Sequence, residues 1–266
     1  MSARAEIGIF GSSGFYTLAG EVTEVEFDTP YGEPSAPIAL ATIGERRVAF
    51  LPRHGTRHEY PPHRIPYRAN LWAFRELGVT RVLAPTAAGS LQAHVRRGDF
   101  VVCDQLVDRT SGRLSTFYDG PATTHVSLAD PYCPELRAVA IDGARAQGIG
   151  VHERGTVVVI EGPRFSTRAE SAWYARMGWD VINMTQHPEA ALARELELCY
   201  CNVSLITDYD AGVEGVEPVS VGEVVAVFRE NNERLRTLLG AVVPAIPTER
   251  ACACATALQG AVVGHS

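Results

Sequence analysis

The stretch GTVVVIEGPRFSTRAESAWYARMGWDVIN (155–183) contains the signals that decide the fold. Its apolar, β-branched start at Gly155–Ile160 predicts a buried strand, and Asp180–Asn183 predicts a second one. Between them, Thr167 and Glu170 have the spacing of a capping box, in which a hydroxyl and a carboxylate satisfy free amides where a helix begins. Strand, helix and strand in this order form a βαβ unit. The segment therefore predicts an α/β protein with a parallel strand pair.

The same alternation of strands and helices extends along the chain in both directions. Strands are predicted at Glu6–Phe10, Val48–Leu51, Arg81–Pro85, Asp99–Val107, Gly155–Ile160, Asp180–Asn183 and Cys199–Thr207. Helices are predicted at Ile65–Leu77, Pro134–Gln147, Thr167–Met177, Pro188–Leu196 and Val221–Leu239. This order predicts a single α/β domain over residues 1–250, with a twisted, mostly parallel or mixed central sheet flanked by helices. The Ala- and Gly-rich segment 251–266 is expected to be a weakly structured tail.

The charged residues exclude several reaction classes. All 24 basic side chains are arginines, so the chain has no lysine. A Schiff base cannot form, which excludes imine aldolases and pyridoxal-phosphate enzymes. A Walker lysine and a protein-kinase lysine are equally absent. Any phosphate must therefore be bound by arginine, hydroxyls and backbone amides.

The overall charge and hydropathy bear on partners and location. The net charge is −7, because 31 acidic residues outnumber the arginines. A net negative field argues against nucleic-acid and anionic-membrane partners. The sequence has no apolar run of bilayer length and no signal-peptide pattern at its start, so we expect a cytoplasmic protein.

The cysteines and histidines give little reason to expect a metal. Six cysteines in a chain of this length are too few and too scattered for a disulfide scaffold. Cys199 and Cys201 lie in an apolar run and are expected to be core thiols. The Cys252-Ala-Cys254 pair has the form of a redox or metal element, but no second ligand pair accompanies it, so we interpret these as loose tail thiols. His54 and His58 have the spacing of a helical zinc pair, yet the surrounding prolines make a helix unfavourable. We predict no metal site.

Polar, glycine-rich segments follow several of the predicted strands. In open α/β sheets, ligands bind in the crevice beyond the carboxyl ends of the strands. We therefore expect one pocket that collects all of these segments, which are residues 11–14, 53–55, 86–90, 161–165, 183–185 and 208–210.

Each of these segments has an ordinary structural explanation as well as a functional one. Residues 46–68 hold six arginines and one acid, which suits an anionic ligand but also describes a solvated face. Gly11–Gly14 can cradle an anion or form a plain turn. Asp208 and Asp210 can form a turn, or they can address the edge of a base, where a carboxyl kept protonated by burial donates to a leaving nitrogen. Phe165 and Met184 are suited to packing against a planar ring of a ligand, or to packing in the protein core.

Taken together, the ordered motifs carry a family resemblance. They are RHG at 53–55, TAAGS at 86–90, DRTSGR at 108–113, FYDG at 117–120, EGPRFSTRAE at 161–170, VINMTQHPE at 181–189 and TDYD at 207–210. In this order and spacing they resemble the trimeric purine nucleoside phosphorylase superfamily, over nearly the whole chain to about residue 246. The resemblance implies reversible phosphorolysis by a pentosyltransferase, with inorganic phosphate as co-substrate and no cofactor. It also implies a homotrimer, or a dimer of trimers.

The resemblance also implies roles for individual residues. The phosphate site would comprise Ser13, Arg53, His54, Thr86, Ala87 and Thr185. Met184 would contact the ribose, with Phe165 and Asn183 beside the base. Asp208 would protonate N7 of the purine, and Asp210 would accept from its 6-amino group. His58, and His125 from a neighbouring subunit, would lie near the site.

The expected substrate is 5′-methylthioadenosine, which would give adenine and 5-methylthioribose-1-phosphate. Superfamily enzymes that select 6-oxopurines carry asparagine where Asp208 stands, so the aspartate argues for adenine. Val221 and Val224 would form an apolar pocket for the methylthio group, and Ser166 would contribute to the same choice. Three alternatives stay open: phosphorolysis of another purine nucleoside (a 5′-halogenated adenosine, adenosine, inosine or methylthioinosine), hydrolysis by a nucleosidase, and a catalytically dead binding protein.

Overall fold

The fold is an α/β arrangement, seen in a computed structural model that describes residues 4–11, 21–211 and 219–263. The strands in these ranges are β1 (Ile7–Phe10), β2 (Thr23–Val25), β3 (Ile38–Ile43), β4 (Arg46–Leu51), β5 (Arg81–Ser90), β6 (Phe100–Val101), β7 (Gln105–Arg109), β8 (Val151–His152), β9 (Thr156–Ile160), β10 (Val181–Asn183) and β11 (Cys199–Asp208). The helices are α1 (Tyr67–Glu76), α2 (Pro134–Ala146), α3 (Arg168–Arg176), α4 (Gln186–Glu195) and α5 (Val221–Ala245).

The βαβ unit predicted at residues 155–183 is confirmed. β9 and β10 pair in parallel, with Val157 opposite Val181. The helix between them, α3, begins with the predicted capping box. The Glu170 amide donates to the Thr167 hydroxyl at 3.2 Å, and the Thr167 amide donates to the Glu170 carboxylate at 2.7 Å. Two of the free amides at this helix start are therefore satisfied by side chains.

The sheet is mixed, as the sequence predicts. Its main path runs β2-β3-β4-β1-β5-β10-β9-β7, while β11 pairs with β5 and β6, and β6 pairs with β8. Parallel pairs join β1 to β4 and β5, β11 to β5, β10 to β9, β7 to β9 and β6 to β8. Antiparallel pairs join β2 to β3, β3 to β4, β5 to β10 and β6 to β11. The central strand β5 thus contacts three others.

Helices cover both faces of this sheet. Successive side chains of a strand point to opposite faces, so neighbouring residues of one strand pack against different helices. Along β11, Tyr200 and Ile206 pack in the cluster that includes α1 and α4. Cys201 and Val203 pack in the cluster that includes α2 and α5. Every residue of β11 is buried, so this strand lies at the centre of the molecule.

The structure corrects several predicted boundaries. The TAAGS segment continues β5 to Ser90, because β11 pairs with it almost to its end. The strand predicted at 99–107 is two strands, β6 and β7, with different partners. β2, β3 and β8 were not predicted. β3 and β4 form an antiparallel hairpin around Gly44, whose φ of 61° is accessible to glycine.

The segment after Arg250 departs from the expected weak structure. A short 3₁₀ helix spans Ala253–Thr256, and Cys254 is buried among residues of the α2 and α5 face. Farther along, Val262 forms a β-bridge with Thr124. The segment is therefore packed on the domain up to residue 263. Among the described helices, none is long and apolar enough to cross a membrane.

Candidate active site

A cavity of about 680 Å³ lies at the strand ends where the sequence predicts a pocket. This volume falls within the range of small-molecule sites. All six predicted segments contribute to its wall, with Gly11, Arg53, His54, Gly55, Thr86, Ala87, Ala88, Gly89, Pro163, Phe165, Asn183, Met184, Thr185, Asp208 and Asp210. The structure thus brings together side chains that lie up to two hundred residues apart in the chain.

An open strand edge supplies a backbone donor to this cavity. β1 pairs with β5 at residues 81–83, and β10 pairs with the same edge of β5 at residues 89 and 90. No strand in the described ranges pairs with residues 84–88 on that edge, since β11 occupies the other one. Alternate residues of this stretch therefore direct their backbone groups to the open edge. Pro85, whose carbonyl oxygen accepts from Arg53 there, has no N–H, so the Ala87 amide is the donor that this stretch offers to an anion. This explains how Ala87, whose side chain is only a methyl group, can belong to an anion site.

Arg53 is held in the cavity wall by a buried ion pair that the sequence did not predict. Its Nε and Nη2 atoms donate to the two carboxylate oxygens of Glu189 at 2.6 and 2.8 Å. Tyr200 donates a further hydrogen bond of 2.7 Å to Glu189. Burial opposes the charge of Arg53, but the attraction and hydrogen bonds of Glu189 outweigh it and raise the pKa. Nη1 also donates to the Pro85 carbonyl oxygen at 3.4 Å. The guanidinium is therefore cationic and fixed in direction, and the bonds to described residues leave one N–H on each Nη atom for a ligand.

His54 has a defined tautomer. Its Nδ1 lies 2.9 Å from the Tyr60 carbonyl oxygen, which can only accept, so Nδ1 carries the hydrogen. Burial, with smaller contributions from Arg53 and His58, lowers the pKa of His54 to about 4. The neutral ring then offers Nε2 as an acceptor, suited to a hydroxyl of phosphate or of a sugar. The His58 ring stacks on it, with ring centroids 4.3 Å apart.

Hydroxyl and amide groups complete the polar wall. The Thr86 hydroxyl accepts from the side-chain amides of Asn202 at 3.0 Å and Asn183 at 3.4 Å. Its oxygen also lies 3.4 Å from the Ser204 hydroxyl, and either group can donate in this long contact. The Thr86 hydrogen can therefore turn from Ser204 to an anion. Thr185 stands at the start of α4, where its side chain makes no capping hydrogen bond. Both hydroxyls can therefore donate to a ligand near the open edge of β5.

Asp208 ends the buried strand β11, and a change of register after Ile206 marks an irregularity there. Such bulges re-aim side chains. Its carboxylate accepts from the Thr207 hydroxyl at 2.7 Å and from the Asp210 amide at 2.8 Å. Burial raises the pKa of Asp208, and these hydrogen bonds offset only part of that effect. A Cβ atom on Gly89 would lie 2.7 Å from Asp208 Oδ1, so glycine is required beside the carboxyl group.

Asp210 is a second buried carboxyl group in the same wall. Burial raises its pKa as well. Hydrogen bonds from the Ser171 and Ser166 side chains offset part of that effect. Among the described residues, the Oδ2 atom of Asp210 has no partner in ordinary hydrogen-bond geometry. A buried acceptor without a partner costs free energy unless a ligand supplies the donor. Asp210 is thus suited to a ligand N–H group.

His58 and Arg229 also line the cavity, and the rest of its wall is largely apolar. It includes Val221, Val224 and Val225 from the first turns of α5, together with Phe165 and Met184. Val221 is 67% exposed, so this side of the cavity is formed at the protein surface. The mixture of an anion-binding edge, two buried carboxyls and an apolar rim suits a ligand that combines a sugar and a base.

Comparison with known proteins identifies the family. The model of the phosphorylase superfamily matches residues 6–244. The chain belongs to the phosphorylase superfamily. Among its relatives in this superfamily, it is 54% identical to a purine nucleoside phosphorylase of Streptomyces coelicolor, over 97% of this chain and 95% of that one. It is also 54% identical to an S-methyl-5′-thioadenosine phosphorylase of Mycobacterium tuberculosis, over 92% and 91% of the two chains.

Solved structures of the superfamily share the fold. A methylthioadenosine phosphorylase from an Antarctic soil metagenomic library superposes with a TM-score of 0.93 and is 40% identical. The match covers 98% of this chain and 93% of the other. The similarity therefore extends over the sheet, both helical layers and the cavity.

Two predicted site residues in the described ranges, Ser166 and His125, lie outside the cavity wall. Ser13 lies outside the described residues. Ser166 is beside the wall-forming Phe165 but is not part of the wall. His125 is exposed, and its amide donates to the Ala261 carbonyl at 2.8 Å, away from the cavity of its own chain. Its role therefore stays a prediction that depends on a neighbouring subunit.

Sequence reasoning missed the residues that position the predicted ones. Glu189 looked like an ordinary helix acid, and no local signal links it to Arg53, 136 residues away. Arg113 ends the DRTSGR motif, whose sequence does not indicate what the arginine binds. Its guanidinium donates to the carbonyl oxygens of Met184 at 2.9 Å and Glu161 at 2.6 Å, which fastens two loops of the cavity together.

Proposed function

We propose that this chain catalyses the reversible phosphorolysis of 5′-methylthioadenosine to adenine and 5-methylthioribose-1-phosphate. The observation that carries this proposal is the pairing of a buried carboxyl, Asp208, with a separate anion-binding wall in one cavity. The wall contains Arg53, Thr86 and the open edge of β5. A glycosidic bond placed between these two parts would have an acid on its base side and a nucleophile on its sugar side.

The chemistry follows from this division. A phosphate oxygen forms a bond to C1′ as the C1′–N9 bond breaks, and the electron pair of the broken bond goes to the purine. Positive charge develops on the sugar ring, and phosphate stabilises it by proximity. The Asp208 carboxyl gives its proton to N7, which neutralises the leaving base. A raised pKa favours the protonated form that this step requires. Inorganic phosphate is the co-substrate, and the proposed reaction needs no resident cofactor.

The two ends of the nucleoside are proposed to be selected by different walls. The unpaired Asp210 Oδ2 suits the 6-amino group of adenine, whereas a 6-oxo group would leave it without a donor. Val221, Val224 and Val225 suit a methylthio group, because they offer apolar contacts from which a 5′-hydroxyl would gain less.

We also propose a homotrimer in the cytoplasm, with His125 of each chain completing the cavity of a neighbour. The exposed His125 lies in a segment that is hydrogen-bonded to residues 261–263. Val262 and Val263 beside it are 54% and 58% exposed, which provides apolar surface for a subunit interface. Light scattering with size-exclusion chromatography measures the assembly, and a monomer of full activity would contradict this arrangement.

Adenine release from 5′-methylthioadenosine, followed with and without phosphate, tests the reaction. We expect turnover only with phosphate, and kcat/KM in the order 5′-methylthioadenosine, adenosine, inosine. Equal release without phosphate would instead indicate a nucleosidase. Preference for inosine would overturn the assigned role of Asp208 and Asp210. Binding of adenine without turnover would indicate a binding protein.

A further inference from the structure

A group of four cysteines lies outside the cavity and has no role in the proposed reaction. Cys133 directly precedes α2, Cys199 begins β11, and Cys252 and Cys254 belong to the C-terminal segment. Their Sγ atoms all lie within 4.8 Å of one another, and none is in a disulfide. The fold thus supplies the second cysteine pair that the sequence pattern of Cys252 and Cys254 lacked.

The spacing of these sulfur atoms suits a single tetrahedral ion. A zinc ion with Zn–S bonds of about 2.3 Å holds its four sulfurs roughly 3.8 Å apart. Cys252 Sγ lies 3.7 Å from Cys133 Sγ and 3.4 Å from Cys199 Sγ. Small side-chain rotations are therefore enough to centre four sulfurs on one ion.

The charges around the sulfurs also suit thiolates. Arg81 Nη1 donates to Cys199 Sγ at 3.4 Å, and Arg194 Nη1 donates to Cys254 Sγ at 3.6 Å. Four thiolates and one divalent ion carry a net charge of −2, which two guanidinium groups oppose. Glu135 lies 3.8 Å from Arg81 Nη2, so the compensation is partial.

We propose that Cys133, Cys199, Cys252 and Cys254 bind one zinc ion as a structural site that fastens the C-terminal segment to α2 and β11. Zinc replaces the thiol protons, which pass to solvent, and no redox step is needed. Four protein ligands leave no open position, which is typical of structural rather than catalytic zinc. Three of the cysteines are buried and Cys252 is partly exposed, so the ion enters past Cys252.

Metal analysis of the untagged wild-type protein, purified under reducing conditions without chelator, tests this directly. We expect inductively coupled plasma mass spectrometry to find one zinc ion per chain. Replacement by Co²⁺ should give the visible absorption of tetrahedral thiolate-bound cobalt. Removal of the ion by a chelator should lower Tm. None of these three measurements depends on the phosphorolysis assay, so failure of the proposed function would not affect them.

Variants assign the site to these residues. Cys252→Ser and Cys254→Ser should each lose most of the bound zinc and the chelator-dependent change in Tm. Cys201→Ser is the matched control, because Cys201 is a buried thiol outside the cluster and the variant should keep the full zinc content. If a cluster variant does not fold, the zinc content and the cobalt spectrum of the wild-type protein still test whether the four cysteines bind a metal ion.

Three results would overturn the proposal. The first is reduced wild-type protein that neither contains nor takes up zinc. The second is iron in place of zinc. The third is an intact mass showing disulfides among these four cysteines in protein purified without oxidant.

Discussion

Replacing Asp208 by asparagine separates its role as an acid from its role in the fold. The amide keeps the shape of the carboxyl group, and its oxygen can still accept from the Asp210 amide. Its NH₂ group would face the Thr207 hydroxyl, which now has to accept. That hydroxyl lies 3.3 Å from the Ala88 carbonyl oxygen and can donate there instead. We therefore expect a change in unfolding free energy of at most about 1 kcal/mol, the worth of one rearranged hydrogen bond.

The loss in catalysis should be much larger, because an amide cannot give up a proton to N7. General acid catalysis contributes about 10²- to 10⁴-fold, so kcat should fall by this factor, or roughly 3 to 5 kcal/mol in the activation barrier. The assay is phosphate-dependent adenine release at saturating substrates, with Tm measured alongside.

A pH series gives the sign of the effect. The protonated carboxyl is the active form, so wild-type kcat should fall as pH rises through the raised pKa of Asp208. The Asp208→Asn variant should not show this fall of kcat with rising pH. Asp119→Asn is the matched control, since Asp119 is 63% exposed and pairs with Arg68 outside the cavity wall. Unchanged kcat in a folded Asp208→Asn protein would refute the assignment of the acid.

The other predictions concern the ion pair, the apolar wall and the imidazole. Glu189→Gln should leave Arg53 as a buried unpaired charge and cost about 3 to 5 kcal/mol in denaturant unfolding, so a loss typical of a surface site would contradict the pairing. Val224→Ser should lower kcat/KM for 5′-methylthioadenosine about 10- to 200-fold and spare adenosine, whereas an equal loss for both substrates would contradict a 5′ role. The pKa of His54 is lowered to about 4 in the folded protein, so on acidification this histidine takes up a proton in the unfolded chain before it does so in the folded one. The unfolding free energy of the wild type should therefore fall as pH drops from about 6.5 to 4. His54→Gln should flatten that slope and the exposed His63→Gln should not; equal slopes would contradict the buried neutral ring.

The sequence was informative wherever local chemistry decides structure. The Thr167–Glu170 spacing predicts a helix start because the two side chains satisfy amides within one turn. The apolar runs at Val48–Leu51 and Cys199–Thr207 predict strands because β-branched and apolar residues suit a sheet that is covered on both faces. Polar residues directly after such strands then predict a shared pocket, and the structure places them around one cavity.

Contacts between segments that are distant in the chain could not be predicted from local sequence. TAAGS is rich in small residues and glycine, which by themselves favour a loop, yet pairing with β11 makes it a strand. Glu189 has no local feature that distinguishes it from an exposed helix acid. The cysteine cluster joins residues 133, 199 and 252–254, and only the tertiary fold shows that a second pair accompanies Cys252 and Cys254.

The position of the valine wall affects how such an enzyme can diverge. Val221 and Val225 are 67% and 41% exposed at the start of α5. Substitutions at exposed positions usually change unfolding free energy by less than about 0.5 kcal/mol. Arg53, Thr86 and Asp208 are buried in the sheet and its loops, where a change also disturbs the core. If the proposed roles hold, preference for the 5′ substituent can change through single mutations at low cost in stability. The residues proposed to recognise the base and the phosphate are ones that the fold itself requires.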